Sequence, residues 1–351
     1  MLSLVYPALV GLGLSLGGPW LWSPLLLNLV LVPLLDCAMA RWCPRWRLPA
    51  SWQRWYFCPP VFWIYAVAQG AMLWLALRQV SEGLGFVEGF ALASAVGIMT
   101  GAAGITAAHE LIHRRDPWQR ALGLALLSMV GYMHFRIEHA YGHHRHVATA
   151  QDPASAALGE GFPAFFMRSL RGGLRSAWAI EAQRLRRRGK RQWSSGNRML
   201  HYALIQGAIG MSLLGWGGFA LLGWFLLQSF IAVHLLEAVN YVQHYGLRRE
   251  ESGSGIEALG PQHAWDADDA VSGLLVFNLS HHADHHLRVS RTCDALQPLP
   301  AAPRLPFSFF LMVFLALFPP LWRRLMDARV PGRERWSLPK PSVTPAGGAV
   351  A

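Results

Sequence analysis

Apolar residues run along this chain in blocks of about 20, the length a helix needs to cross the hydrocarbon of a bilayer. The blocks lie near 2–18, 20–40, 60–78, 88–108, 201–222 and 223–243. They predict an all-α, polytopic membrane protein with about six transmembrane helices. Gly17-Gly18-Pro19 parts the first two blocks and Leu222-Gly223 the last two, so both pairs read as tight hairpins. No Lys or Arg precedes the first apolar block and no polar segment follows it, which argues against a secretory signal. A weaker run, Phe307 to Trp322, is broken by Pro319-Pro320 and followed by Arg323-Arg324. It is expected to lie in the interface rather than to cross. Residues 1–330 read as a single integral-membrane domain, and the Pro-, Gly- and Ala-rich tail 331–351 as disordered.

Composition agrees with the blocks and narrows the class. At 53% hydrophobic and 15% charged, with 16 Trp and 17 Phe, the chain is too apolar for a water-soluble globule and too poor in charge for disorder. The net charge of +11 is not a nucleic-acid signal, because the arginines fall between the apolar blocks. Arg41, Arg45, Arg47 and Arg54 follow the second block, and 145–198 holds eleven Lys/Arg against three acids. Such segments face the cytoplasm. An even number of spans then puts both termini on that side. The basic segment 168–198 is also expected to attract an acidic one-electron carrier. Cys37, Cys43, Cys58 and Cys293 form no CxxC pair and read as reduced, buried fillers.

The chemistry lies in the histidines. Of 15, most fall in four groups: His109 and His113; His139, His143, His144 and His146; His244; and His281, His282, His285 and His286. Each group sits at a predicted cytoplasmic membrane boundary. His109 and His113, spaced i to i+4, share one helical face and can chelate one ion. His139 and His143 repeat that spacing, with His144 pointing about 100° away, and His282, His285 and His286 read as one face. Only 25 residues, 114–138, connect the first two groups, and two crossings need about 40. The apolar stretch Ala121–Phe135 must therefore dip into the membrane or lie along it if both groups serve one site.

His109-Glu110-Leu111-Ile112-His113 also fits HExxH, the zinc-protease pattern. That reading uses one zinc and three ligands and leaves the other groups without work. Eight or nine imidazoles exceed what one open-sided ion accepts, so two ions are implied. Two divalent ions ringed by neutral imidazoles form a strong oxidant when oxidised, which suits dioxygen activation. Glu138, Asp152 and Asp284 are read as acids that orient imidazoles. His134 and His234 read as packed within apolar helices, His201 as a span-start residue, His263 as a loop residue, and His146 and His281 as neighbours of ligands.

At these residues the chain resembles the integral-membrane alkane hydroxylases (alkane 1-monooxygenases), within the membrane fatty-acid desaturase and hydroxylase superfamily. The resemblance covers about 100–330. His109-Glu110-Leu111-Ile112-His113-Arg114 is similar to the first histidine box, and Glu138-His139-Ala140-Tyr141-Gly142-His143-His144 to the second. Asn240-Tyr241-Val242-Gln243-His244-Tyr245-Gly246-Leu247 resembles the HYG motif, and His282-Ala283-Asp284-His285-His286 the third box.

The resemblance implies nine ligands, His109, His113, His139, His143, His144, His244, His282, His285 and His286, holding two iron ions. It further implies hydroxylation of a terminal C–H bond with dioxygen. Electrons would come from a rubredoxin or ferredoxin-type donor with its reductase, and the site would sit on the cytoplasmic side of a bacterial-type inner membrane. An apolar alkyl substrate would enter from the lipid along a tunnel among the first four spans, with Trp22, Phe62 and Trp63 as candidates for its end. Gln243 stands where the family usually has Glu, and Ser280-His281 where Gln-Arg is usual. His263-Ala264-Trp265-Asp266 varies the family's His-Ser-Trp-Asn. These departures leave aromatic-methyl hydroxylation of the xylene type, alkene-forming decarboxylation and desaturation as alternative reactions on the same scaffold.

Overall fold

The computed structural model describes residues 2–43, 46, 48–252 and 255–332. Arg45, Arg47 and the tail from 333 onward lie outside those residues. Helix prevails, and among the described residues the strands are one short hairpin, β1 (Glu251–Ser252) with β2 (Gly255–Ile256).

Helix α1 (Leu2–Leu16) turns into α2 (Gly18–Trp42) through Gly17 and Gly18, with φ of 64° and 50°. Only glycine takes that left-handed backbone without steric cost, and the hairpin falls where the sequence puts it. After the short α3 (Ala50–Tyr56) come α4 (Pro59–Ser81) and α5 (Phe86–Ile112). Helix α4 opens on Pro59-Pro60, whose missing N–H groups fall in the first turn, where no intrahelical acceptor exists. Among the described residues α2, α4, α5 and α9 (Arg198–His244) are the helices long and apolar enough to cross a membrane. Helix α1 is apolar but only about 22 Å long, short of a hydrocarbon core of about 30 Å.

The 47 residues of α9 do not run straight. Gly217 and Gly218 are non-helical, with φ at Gly218 of 65°. A Cβ built on Gly210 would lie 3.9 Å from Leu222 Cδ1, so the arms 198–216 and 219–244 fold back on each other. The break precedes the expected Leu222-Gly223. A reversal needs a residue in the left-handed region, which the Gly217-Gly218 pair supplies, while Gly223 stays helical.

Outward faces of these helices carry exposed Leu34, Val67, Phe86, Leu204, Met211 and Phe219, as lipid-facing surfaces do. Cys37 and Cys43 are exposed on such faces, Cys58 is half-buried and only Cys293 is buried. The expectation of buried fillers fails for the first two, since a weakly polar thiol is at home against lipid as well as in a core.

Polar groups inside the helix bundle account for one another. A π-helical turn at Met99–Ile105 in α5 frees a carbonyl, and Tyr65 Oη donates to Met99 O at 2.8 Å. Helix α6 (Pro117–Ser128), capped by Asp116, which accepts from Trp118 N at 2.7 Å, is about 18 Å long and cannot cross. It packs back along α5, where a Cβ on Gly123 would stand 3.1 Å from Ala108 O. Its end at Met129 is reached by Gln228 Nε2 of α9, which donates to Met129 O at 2.9 Å. The chain then turns at Gly131, φ 66°, and returns as helix α7 over 135–146. The Ala121–Phe135 stretch thus packs back along α5 and returns without crossing. Its irregular backbone is satisfied by protein groups.

Helix α8 (Phe162–Arg186) joins α9 through a clamp. Buried Glu181 takes Arg184 Nη2 at 2.6 Å and Arg198 Nη2 at 2.6 Å. Burial alone would raise its pKa, but the bonds from Arg184 and Arg198 outweigh it and hold the carboxyl down at about 2. A depressed folded-state pKa adds stability above the ordinary carboxylate value, 4.5, which drains away as pH falls toward 2. Thermal unfolding in detergent should therefore lose a component between those pH values that Glu181→Gln lacks. Identical pH profiles would show the clamp to be inert.

Four short helices complete the described fold: α10 (Ala270–Leu275), α11 (His282–Leu287), α12 (Phe309–Ala316) and α13 (Pro319–Met326). Asp36 of α2 caps α10, accepting from Val271 N at 2.8 Å and from the Ser272 hydroxyl. Helix α12, at eight residues, is too short to cross. Phe309, Phe310, Met312, Val313 and Ala316 are buried in the core, because eight consecutive apolar residues have no polar face to leave in headgroups.

Candidate metal centre

The fold gathers all nine candidate histidines at one place, in two adjoining clusters. His109, His113, His139, His144 and His285 form one, and His143, His244, His282 and His286 the other, with the donor atoms of each within 4.8 Å of one another. In the first, the Nε2 atoms of His113 and His139 are 3.0 Å apart, His139 and His144 3.0 Å, His113 and His144 3.3 Å, and His144 and His285 3.1 Å. In the second, His244 to His282 and His282 to His286 are both 3.0 Å.

These spacings suit an ion better than hydrogen bonds. A neutral imidazole has one donor and one acceptor, so three mutually close Nε2 atoms cannot all satisfy one another. Two donors at right angles around a metal at about 2.1 Å stand about 3.0 Å apart. His109 Nε2 and His143 Nε2 are buried with no hydrogen-bond partner among the described residues. The donor set therefore fits a metal site.

Local structure decides which ring joins which cluster. His109 and His113 sit at the end of α5 and meet in one cluster, as their spacing implies. The second group departs from its α-helical reading. Residues 139–143 form a π-helical turn, in which i and i+5 share a face, so His144 joins His139 while His143 turns to the other cluster. The third group also divides. On α11 His282 and His286 share a face, whereas His285 lies about 100° from His286 and joins the first cluster. His244 ends α9, and the chain leaves it through Gly246 at φ 71°.

Asp152 Oδ2 lies 2.9 Å from His143 Nδ1 and also accepts from Ser155 Oγ at 2.6 Å, which aims the Nε2 lone pair of His143 into its cluster. Among the described residues Glu138 Oε1 is buried without a hydrogen-bond partner beside Gly142, where a Cβ would come within 2.8 Å of it. Asp284 faces arginines rather than imidazoles, with Arg291 at 2.9 Å and Arg288 at 3.1 Å. Gln243 Nε2 donates to Leu279 O at 2.9 Å. Glu110, the would-be base of an HExxH protease, is engaged elsewhere, paired with Arg114 at 2.5 Å and accepting from Cys293 N at 3.3 Å.

His134 packs edge-on to Tyr132, and His234 lies among Phe162, Phe166 and Phe230. His201 is exposed on Ser195 O at 2.7 Å. His263 accepts from Gly260 N, and His281 stands 3.6 Å from Asp268. His146 is half-buried.

Two acids outside the expected set of ligands and orienting groups bear on the centre. Glu237 is buried in α9, accepts from Tyr132 Oη at 3.0 Å, and shares a small pocket with His139 and His143. An acid in the middle of an apolar span was a signal in itself. Asp266 caps the helix that carries three of the nine rings, accepting from Ala283 N at 2.8 Å. No local spacing marks it, since the partner is 17 residues away.

An apolar cavity of about 190 Å³ ends at His109, His139 and His282. Its walls come from α2 (Leu25, Leu29), α5 (Ile98, Ile105), the second arm of α9 (Leu235, Val239) and α12 (Phe310, Val313). It does not run among the first four spans, because α12 and α9 displace α1 and α4 from its wall. Trp22, Phe62 and Trp63 do not line it. Phe62 stacks on Phe277 at 5.0 Å, Trp22 leans on Phe90, and Trp63 faces outward.

A family model, fatty acid desaturase, matches residues 84–304. The chain is 37% identical over 261 residues to an alkane 1-monooxygenase of Acinetobacter baylyi, covering 74% of this chain and 64% of that protein, just under two-thirds of its length. It is 34% identical over 339 residues to alkane 1-monooxygenase 1 of Alcanivorax borkumensis, covering 94% and 84%. It is 29% identical over 228 residues to the xylene/toluene monooxygenase hydroxylase component of Pseudomonas putida, covering 65% and 60%. With the family model over more than half of its residues and such relatives along most of its length, the chain belongs to the fatty acid desaturase family, beside the alkane 1-monooxygenases.

Proposed function

We propose that this chain is a membrane-bound non-haem di-iron monooxygenase that inserts one oxygen atom of dioxygen into a terminal C–H bond of an alkane or alkyl chain. The product is a primary alcohol. The observation that carries this reading is the meeting of two imidazole clusters with the inner end of an apolar cavity. His109, His113, His139, His144 and His285 would hold one iron, and His143, His244, His282 and His286 the other. When bound, the iron pair supplies dioxygen activation. The second oxygen atom leaves as water, with two protons and with two electrons from a rubredoxin- or ferredoxin-type donor and its reductase. Six spans, with both termini and the clusters on the cytoplasmic side of a bacterial inner membrane, complete the proposal.

The protein's own groups bind, orient and keep the site dry. A cavity of about 150 Å³ suffices for benzene, so about 190 Å³ accepts a medium hydrocarbon. Half-buried Leu25, Leu29, Phe314 and Leu317 form its lipid-side mouth. Their apolar surface selects the chain and brings its end toward His109, His139 and His282.

Membranes of an expressing host, offered octane, xylene and decanoic acid, should yield 1-octanol. Methylbenzyl alcohol alone, or a terminal alkene from the acid, would transfer the chain to a relative's reaction, and no oxygenated product would overturn the proposal. Metal analysis should find iron with little zinc, whereas zinc alone would overturn the di-iron assignment. Val313→Trp should plug the cavity, cutting octane turnover about 100-fold at unchanged iron content. Unchanged turnover would mean that substrate arrives by another path.

A further inference from the structure

We propose that the loop between α8 and α9 is a binding site for the headgroup of an anionic phospholipid. Arg186, Arg187, Arg188, Lys190 and Arg191 follow within six residues and make no ion pair or side-chain hydrogen bond among the described residues. The nearby acid, Glu181, is already taken by Arg184 and Arg198. Beside these cations Trp193 is 68% exposed, leaning on Trp178 at 4.9 Å. Lys190, Arg191, Trp193 and Ser194–Gly196 line an open groove of about 610 Å³. The buried Ser194 hydroxyl has no hydrogen-bond partner among the described residues.

Depth identifies the occupant. Helix α9 starts at Arg198, and its outward apolar face begins at exposed Leu204, about 9 Å further along the axis. The loop therefore lies at headgroup level, where exposed tryptophan and clustered Arg/Lys are both favoured. An acidic redox carrier fits the charge but not the place. Ser176 packs against the turn that bears His139 and His143, and Arg186, the last residue of α8, lies about 15 Å further along that helix. A lipid phosphate gains from the cations wherever they sit, whereas a carrier seated there is held away from the clusters.

The test uses the full chain in nanodiscs of phosphatidylcholine mixed with phosphatidylglycerol, one lipid brominated at a time. The Trp193 fluorescence component is the difference between wild type and Trp193→Phe. Brominated phosphatidylglycerol should quench it about tenfold more per lipid than brominated phosphatidylcholine. The preference should vanish in the variant carrying Arg186→Gln, Arg187→Gln and Arg188→Gln. Should that variant not fold, Lys190→Gln with Arg191→Gln, in the loop beyond the helix, should also weaken it. Equal quenching by the two lipids, or a preference unchanged in the folded charge variant, would overturn the proposal. Loss of the preference on adding inorganic phosphate, or an acidic rubredoxin-type carrier, would assign the groove to that ligand instead and likewise overturn it.

Discussion

Protein carrying His244→Ala should lose the metal of the four-imidazole cluster, keep that of the five-imidazole cluster, and hydroxylate alkane at less than about one-hundredth of the wild-type rate. His244 stands alone in sequence, but its Nε2 lies 3.0 Å from that of His282, and its ring is packed against those of His143 and His286. Removing it leaves three imidazoles, His143, His282 and His286, in a fully buried cluster, with no further His, Cys, Asp or Glu donor in it among the described residues. His201→Ala is the matched control. That ring is exposed and bonds only a loop carbonyl, at 2.7 Å, so iron content and turnover should both stay near wild type. Metal analysis and product yield on the two variants check this directly. Full iron and full activity in the His244 variant would remove it from the ligand set.

The second large effect is expected from Gly97→Leu. A Cβ at Gly97 would fall 2.7 Å from Ile231 Cβ and 2.9 Å from Gln228 O, and at Gly101 it would fall 2.9 Å from Ala232 Cα. Helices α5 and α9 touch backbone to backbone along this small-xxx-small edge, and a backbone atom cannot swing aside. Even Gly97→Ala should cost about 1–3 kcal/mol, and Leu should prevent the two helices from docking. Gln228 would go with them, breaking its bond to Met129 O. The control is Gly89→Ala on the same helix, where an added Cβ meets nothing within 4 Å. Unfolding midpoints in detergent should fall for the first pair of variants and hold for the control. A Gly97→Leu protein as stable as wild type would mean that the helices can separate without loss.

The parts of this protein that follow a fixed period were legible from residue order. Apolar blocks gave the crossing helices, Gly17-Gly18 gave the first hairpin, and the histidine spacings drew the nine rings into one region. What stayed hidden depends on departures from that period or on distant partners. The π-turn at 139–143 exchanges the faces of His143 and His144, and no hydrophobic pattern announces an extra residue in one turn. Likewise the cavity wall includes α12, whose all-apolar sequence gives no direction to a buried face. Asp266 caps a helix across 17 residues and Asp36 caps one across 235, and such long-range pairs leave no trace in local spacing. Glu237 was different: the signal was present as a lone acid in an apolar span and went unused.

The returning helix α6 also constrains how the molecule is made. Its end leaves a carbonyl that, among the described residues, Gln228 alone reaches, 99 residues later in the chain. Until α9 has been synthesised, that carbonyl lacks its donor. Both histidine clusters close later still, because one requires His285 and the other His282 and His286. A nascent chain halted before these residues can complete neither donor set. Completion of either cluster is thereby tied to a nearly finished polypeptide, and release from the ribosome at a premature stop yields a protein in which neither cluster is closed.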